Sequence, residues 1–130
     1  MNRFILPFLL VFFFIFNSCK PEDEDGIIIV TPAEMQTLMD LEDVQLIDVR
    51  TPQERRDGFI KNSQNIDFNS PTFDADILNL DKSKPVILYC RSGRRSAACG
   101  KKLKAAGFEK IYDLEGGVTQ WQFKGYNLEM

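Results

Sequence analysis

Apolar and polar positions run along this chain in short blocks whose period changes from block to block. Ile27-Ile-Ile-Val30 is a compact β-branched run that predicts a strand. Thr31-Pro-Ala-Glu34 supplies a cap residue, a proline at the first helical position and a glutamate three residues after the cap, a capping box that opens a helix. That helix is expected to run to about Asp40, with Met35, Leu38 and Met39 as its apolar stripe. Val44 to Val49 predicts a second strand, and Thr51-Pro-Gln-Glu54 repeats the capping chemistry ahead of a short helix. Further strands are expected at Gln64–Phe68, Val86–Tyr89 and Lys110–Tyr112. Further helices are expected over Phe73–Leu80, over Ser96–Ala106, and after Gly116-Gly117, the last carrying Trp121 and Phe123. Strands alternating with helices imply an α/β fold: a mainly parallel five-stranded sheet with helices on both faces.

The N-terminus has a different pattern. Residues 4–16 are apolar throughout apart from Pro7, with Arg3 before them and Asn-Ser-Cys after them. Such a stretch spans roughly 20 Å as a helix, short of the ~30 Å hydrocarbon core. A positive start, a short apolar run and small residues at its end describe a signal peptide over residues 1–18. Phe16-Asn-Ser-Cys19 resembles a bacterial lipobox, although Phe16 stands where Leu is usual and Asn17 where a smaller residue is usual. On this reading Cys19 is the lipidated first residue of an exported protein, held at the periplasmic face of the outer membrane or at the cell surface. An ordinary cleaved signal or an uncleaved anchor are the alternatives. Residues 19–26 are an acidic linker without apolar content beyond Cys19 and Pro21, and residues 27–130 form the domain.

Composition narrows the chemistry. The chain has no histidine, which excludes Ser-His-Asp and Cys-His catalysis and any His-ligated metal site. Assigning Cys19 to a lipid leaves Cys90 and Cys99, so no disulfide framework is expected, and neither a metal nor a cofactor. The overall charge is −3, and the pattern does not point to nucleic acid.

Cys90-Arg-Ser-Gly-Arg-Arg-Ser96 is the segment with reactive potential. The apolar run Val86–Tyr89 ends on Cys90, and a short loop with one glycine and three arginines leads into a helix. A thiol between a strand end and a helix start lies under backbone N–H groups and the positive end of a helix dipole, which favours the thiolate. It also lies outside the carboxyl end of a parallel strand, where such sheets bind ligands. Arginines add forked donors suited to an oxyanion. A cysteine buried merely for packing requires neither the glycine nor the arginines.

These residues resemble the single-domain rhodaneses, which are sulfurtransferases. Leu46-Ile-Asp-Val-Arg50-Thr-Pro-Gln-Glu54 looks like a first motif, and Gly58-Phe-Ile60 with Asn65-Ile66 a second. The Cys90 loop resembles the active-site loop, and Leu114-Glu-Gly-Gly117 with Trp121 the closing motif. Phe59 departs from the family's histidine, and Asn62 stands where glycine is frequent. The resemblance implies that Cys90 takes sulfur from a small anionic donor such as thiosulfate, becomes a persulfide, and passes the sulfur to a thiol or cyanide acceptor. Arg91, Ser92, Gly93, Arg94 and Arg95 would bind the anion, Arg95 foremost, with Arg94 equally able to point into water. Asp48 and Arg50 would support the loop rather than react. Glu54 is expected to serve its capping box, and Cys99 to be a small core residue rather than a resolving thiol.

Two other classes compete. A binding or sulfur-carrier module could share the fold without catalysing transfer. A cysteine phosphatase or arsenate reductase also uses a thiolate in an anion loop. Tyrosine-type phosphatases place arginine six positions after the cysteine, where this chain has Ser96. The span Cys90–Arg95 has the six-residue, sulfur-handling length.

Overall fold

In the computed structural model, residues 25–130 are described, so the signal-peptide reading and Cys19 lie outside them. Five strands, β1 (Ile28–Val30), β2 (Gln45–Asp48), β3 (Gln64–Asn65), β4 (Val86–Tyr89) and β5 (Ile111–Leu114), form one sheet in the order β1-β5-β4-β2-β3. Every pairing is parallel. The helices are α1 (Pro32–Leu41), α2 (Pro52–Arg56), α3 (Phe73–Asp76), α4 (Arg94–Ala105) and α5 (Gly117–Phe123).

Alternation along β4 shows how the sheet is covered. Val86, Leu88 and Cys90 join one apolar cluster with Phe73, Cys99, Leu103 and Phe108. Ile87 and Tyr89 join another, with Met35, Val118 and Trp121. Thus α3 and α4 cover one face, and α1 and α5 the other. A strand buried on both sides has no polar alternation, which is why Val86–Tyr89 reads as a continuous apolar run. Burying each of its large side chains stabilises the fold by about 1.5–3 kcal/mol.

Local chemistry sets the element starts. Thr31 and Thr51 each accept from the glutamate N–H three residues on, and each glutamate carboxylate accepts from the threonine N–H in return. Each box contributes on the order of 1 kcal/mol.

Several elements differ from the sequence expectation. β3 has two residues because, after pairing with Ile47 and Asp48, the chain bends away and only single N–H bonds to Asp48 and Val49 continue. The helix expected over Phe73–Leu80 is one α-turn followed by a 3-10 turn at Ile77–Asn79. α4 starts at Arg94, two residues early, because Gly93 at φ +107° makes the sharp entry. β5 runs to Leu114 in register with β1. Phe123 is exposed, whereas Trp121 is buried and stacks on Tyr126 at 4.4 Å. Asn62 takes φ +67°, so the turn persists without glycine.

Candidate active site

Cys90 follows β4 and is followed by a loop that folds back over its own sulfur. The Gly93 N–H donates to Cys90 Sγ at 3.0 Å, and the Ser96 hydroxyl lies 3.5 Å from the same sulfur. Burial alone would push the Cys90 thiol up. The Ser96 hydroxyl and the N–H groups of Ser96, Gly93 and Ser92 outweigh it, and the thiol is held below its ordinary value. Cys90 is 1% exposed, while Arg91, Ser92 and Arg94 in its loop are exposed.

The loop's shape is imposed from α5. Val118 N–H donates to the Cys90 carbonyl at 2.9 Å and Thr119 N–H to the Arg91 carbonyl at 3.1 Å. Tying these carbonyls outward leaves the next amides free to turn toward the sulfur. Gly117 makes the approach feasible. A Cβ there would lie 2.5 Å from the Cys90 carbonyl oxygen and 2.7 Å from the Arg91 carbonyl, and its φ is +58°.

On the opposite side of the sheet, Asp48 is fully buried and accepts from the Arg50 N–H, Nε and Nη2, from Arg55 Nη1 and from the Tyr89 hydroxyl. Arg50 also reaches the Gly58 carbonyl at 2.8 Å. Burial and the neighbouring Asp48 carboxylate raise the Tyr89 phenol above its ordinary value, so it remains a donor. Asn65 Nδ2 bridges the Asp48 and Arg50 carbonyls. This network holds the ends of β2 and β4 together immediately before Cys90.

The arginines divide by partner. Arg95, expected to lead in anion binding, places both terminal nitrogens on Glu54, at 2.7 and 2.6 Å. The guanidiniums of Arg91 and Arg94 have no hydrogen-bond or ion-pair partner among the described residues. Arg91 lines a cleft with Arg50, Glu54, Asp57, Thr119 and Gln122. Cys99 is buried in the core, where desolvation pushes its thiol up to about 12.

Sequence reasoning therefore reaches Cys90, its loop, Asp48 and Arg50. It misses Ser96 as a contact of the sulfur, Glu54 as the partner of Arg95, and the Tyr89, Arg55 and Asn65 contacts. The Gly116-Gly117 pair carried a signal for the close approach of α5. No signal in the sequence pairs Glu54 with Arg95.

A family model, the rhodanese-like domain, matches residues 31–124. The chain belongs to the rhodanese-like domain family. This rhodanese-like domain is 33% identical over 90 residues to a sulfurtransferase of Allochromatium vinosum, covering 69% of this chain and 82% of that protein. It is 37% identical over 93 residues to a tRNA uridine(34) hydroxylase of Cytophaga hutchinsonii, covering 69% of this chain but 30% of the relative, so the chain spans under a third of that protein. A crystal structure of a rhodanese-like domain protein from Staphylococcus aureus superposes with a TM-score of 0.68 at 29% identity, over 78% of this chain and 96% of that one.

Proposed function

We propose that this rhodanese-like domain is a sulfurtransferase that moves sulfane sulfur from thiosulfate or a similar anionic donor to a thiol or cyanide acceptor through a Cys90 persulfide. The carrying observation is the cradle at Cys90, where loop amides and one hydroxyl converge on a sulfur held below its ordinary thiol value. The Cys90 thiolate attacks the donor's outer sulfur. The Sγ–S bond forms, the donor's S–S bond breaks, and the electron pair leaves on sulfite. In the second half-reaction an acceptor thiol takes the outer sulfur together with its own proton, and the bonding pair returns to Sγ. Loop amides suit both the anionic donor and the persulfide. Arg91 and Arg94, whose guanidiniums have no partner among the described residues, are the cations able to meet the donor, whereas Arg95 shapes the loop through Glu54. With Arg95 engaged in that way and Ser96 six positions after Cys90, a phosphatase has less support.

Incubating purified protein with thiosulfate and weighing it intact tests this reading. Wild type is expected to gain ~32 Da at Cys90 and to lose it to cyanide as thiocyanate. A wild-type rate no higher than that of Cys90→Ser would sink the enzyme reading in favour of a binding or sulfur-carrier module.

We propose further that the domain is exported and anchored by lipid on Cys19, supported by the apolar run, the lipobox-like end and the acidic linker in the sequence. Among the described residues no helix is long and apolar enough to cross a membrane. In cells, the protein should partition into a detergent-rich phase and carry lipid, and Cys19→Ala should carry none. A soluble wild type beginning at another residue would refute the anchor without touching the sulfur chemistry.

A further inference from the structure

Ser96 carries one proton and has two acceptors. Its hydroxyl is 3.1 Å from the Gly93 carbonyl and 3.5 Å from Cys90 Sγ, and the residue is wholly buried, so water does not supply an alternative. A hydroxyl donates once at a time but accepts freely. With Cys90 as a thiol, the sulfur can donate to Ser96 Oγ while Ser96 donates to Gly93. With Cys90 as a thiolate, the sulfur is acceptor only, and the charge-assisted bond is the stronger of the two on offer.

We propose that Ser96 is a catalytic residue whose proton follows the charge on Cys90 Sγ, turning to the sulfur when it is anionic and back to the Gly93 carbonyl when it is not. The proposal rests on the sulfur-transfer reading, and it assigns the two half-reactions different demands. Loading converts an anionic Sγ into a neutral disulfide-type sulfur, with the charge moved to the outer atom, so the Ser96 bond is released on the way in. Unloading restores the thiolate as leaving group, so the bond re-forms on the way out. Ser96 therefore stabilises the starting thiolate and the departing thiolate, and it lowers the barrier of the outward step.

The ionisable groups that interact with this sulfur are Arg95 and Cys99 on α4, with Asp67 beside Arg95 and Asp113 of β5 and Lys102 of α4 beside Cys99, while Arg91 in the loop and Arg94 at the start of α4 are its neighbours in sequence. Glu54 of α2 bears on it through Arg95, and residues 117–119 of α5 bring none. Removing one oxygen at Ser96 adds or deletes none of these charges.

Ser96→Ala and Ser96→Thr in the purified protein test this. The alkylation midpoint of Cys90 with iodoacetamide is expected about one unit higher in Ser96→Ala, with most of the shift restored by threonine, which keeps the hydroxyl. Rapid mixing should show cyanide stripping the persulfide about tenfold more slowly in Ser96→Ala at every pH. Loading from thiosulfate, above the raised midpoint, should be no slower than wild type. Equal midpoints in wild type and Ser96→Ala would overturn the proposal. So would equal slowing of both half-reactions at high pH, which marks a displaced loop, or a threonine variant as impaired as alanine. A wild type that forms no persulfide overturns the sulfur-transfer reading and the outward step with it. The alkylation midpoints, which need no sulfur donor, then judge the Ser96–thiolate contact separately.

Discussion

Arg95 and Glu54, forty-one residues apart in sequence, meet in a two-pronged ion pair with distances of 2.7 and 2.6 Å. It ties the first turn of α2 to the first turn of α4 beside the Cys90 loop. The same carboxylate closes the α2 capping box by accepting from the Thr51 N–H and hydroxyl. Arg95 and the Thr51 bonds hold Glu54 well below its ordinary 4.5, at about 2.

That depression has a definite sign in the stability curve. A carboxylate whose folded value lies below its unfolded value contributes stability that is complete above the unfolded value and fades as pH falls toward the folded one. Wild type should therefore lose this contribution between about pH 4.5 and 2. Glu54→Gln, which keeps the cap but not the charge, should be less stable by about 1 kcal/mol at neutral pH and show a flatter acid limb. Urea melts from pH 7 to pH 2 measure this, and parallel curves for the two proteins would remove Glu54 as the source.

Asp48 carries a larger penalty. Asp48→Asn leaves Arg50 buried with its main counter-charge gone, a loss of about 3–5 kcal/mol. Tyr89→Phe removes only the hydroxyl bonds to Asp48, Ser63 and the Ile60 N–H, and should cost about 1–2 kcal/mol. Equilibrium unfolding should rank the two in that order.

The free arginines should act on the donor rather than on the fold. Arg91→Ala and Arg94→Ala are expected to raise the KM for thiosulfate, the pair together by about tenfold, the scale of a charge-assisted bond. Melting temperatures should barely move, since neither guanidinium has a partner among the described residues. A thiosulfate KM unchanged in the double variant would leave the anion to the loop amides alone.

Gly117→Ala should be among the most damaging small changes. The added methyl carbon meets the Cys90 carbonyl at 2.5 Å in a backbone with φ +58°, so both the loop and the start of α5 must shift. We expect a loss of more than about 2 kcal/mol and a slower Cys90 reaction with iodoacetamide. A variant with wild-type melting and labelling would show that α5 does not shape the cradle.

The two thiols should differ sharply toward alkylation. Cys90 should react with a midpoint below the ordinary thiol value, and Cys99, pushed up to about 12 by burial, should stay unlabelled in native protein. Peptide mapping after a short iodoacetamide pulse separates them. Label on Cys99 at neutral pH would show that α4 opens.

Much of this protein is decided locally and so is legible in one dimension. The capping boxes at Thr31 and Thr51, the doubly buried Val86–Tyr89 run and the thiol at its end are consequences of neighbouring residues, which see the same chemistry in any parallel sheet. From them follow the α/β fold, the position of Cys90 and the supporting place of Asp48 and Arg50. The partners of the loop are another matter. Arg91, Arg94 and Arg95 are equivalent as residue types, and only the packing of α2 against the start of α4 sets Glu54 before Arg95, while the other two guanidiniums have no partner among the described residues. Ser96 reads as the first residue of a helix, yet the turn at Gly93 starts the helix two residues earlier and rotates that hydroxyl under the sulfur. Distances between residues far apart in the chain are set by how the elements pack, and one-dimensional patterns carry no such distances.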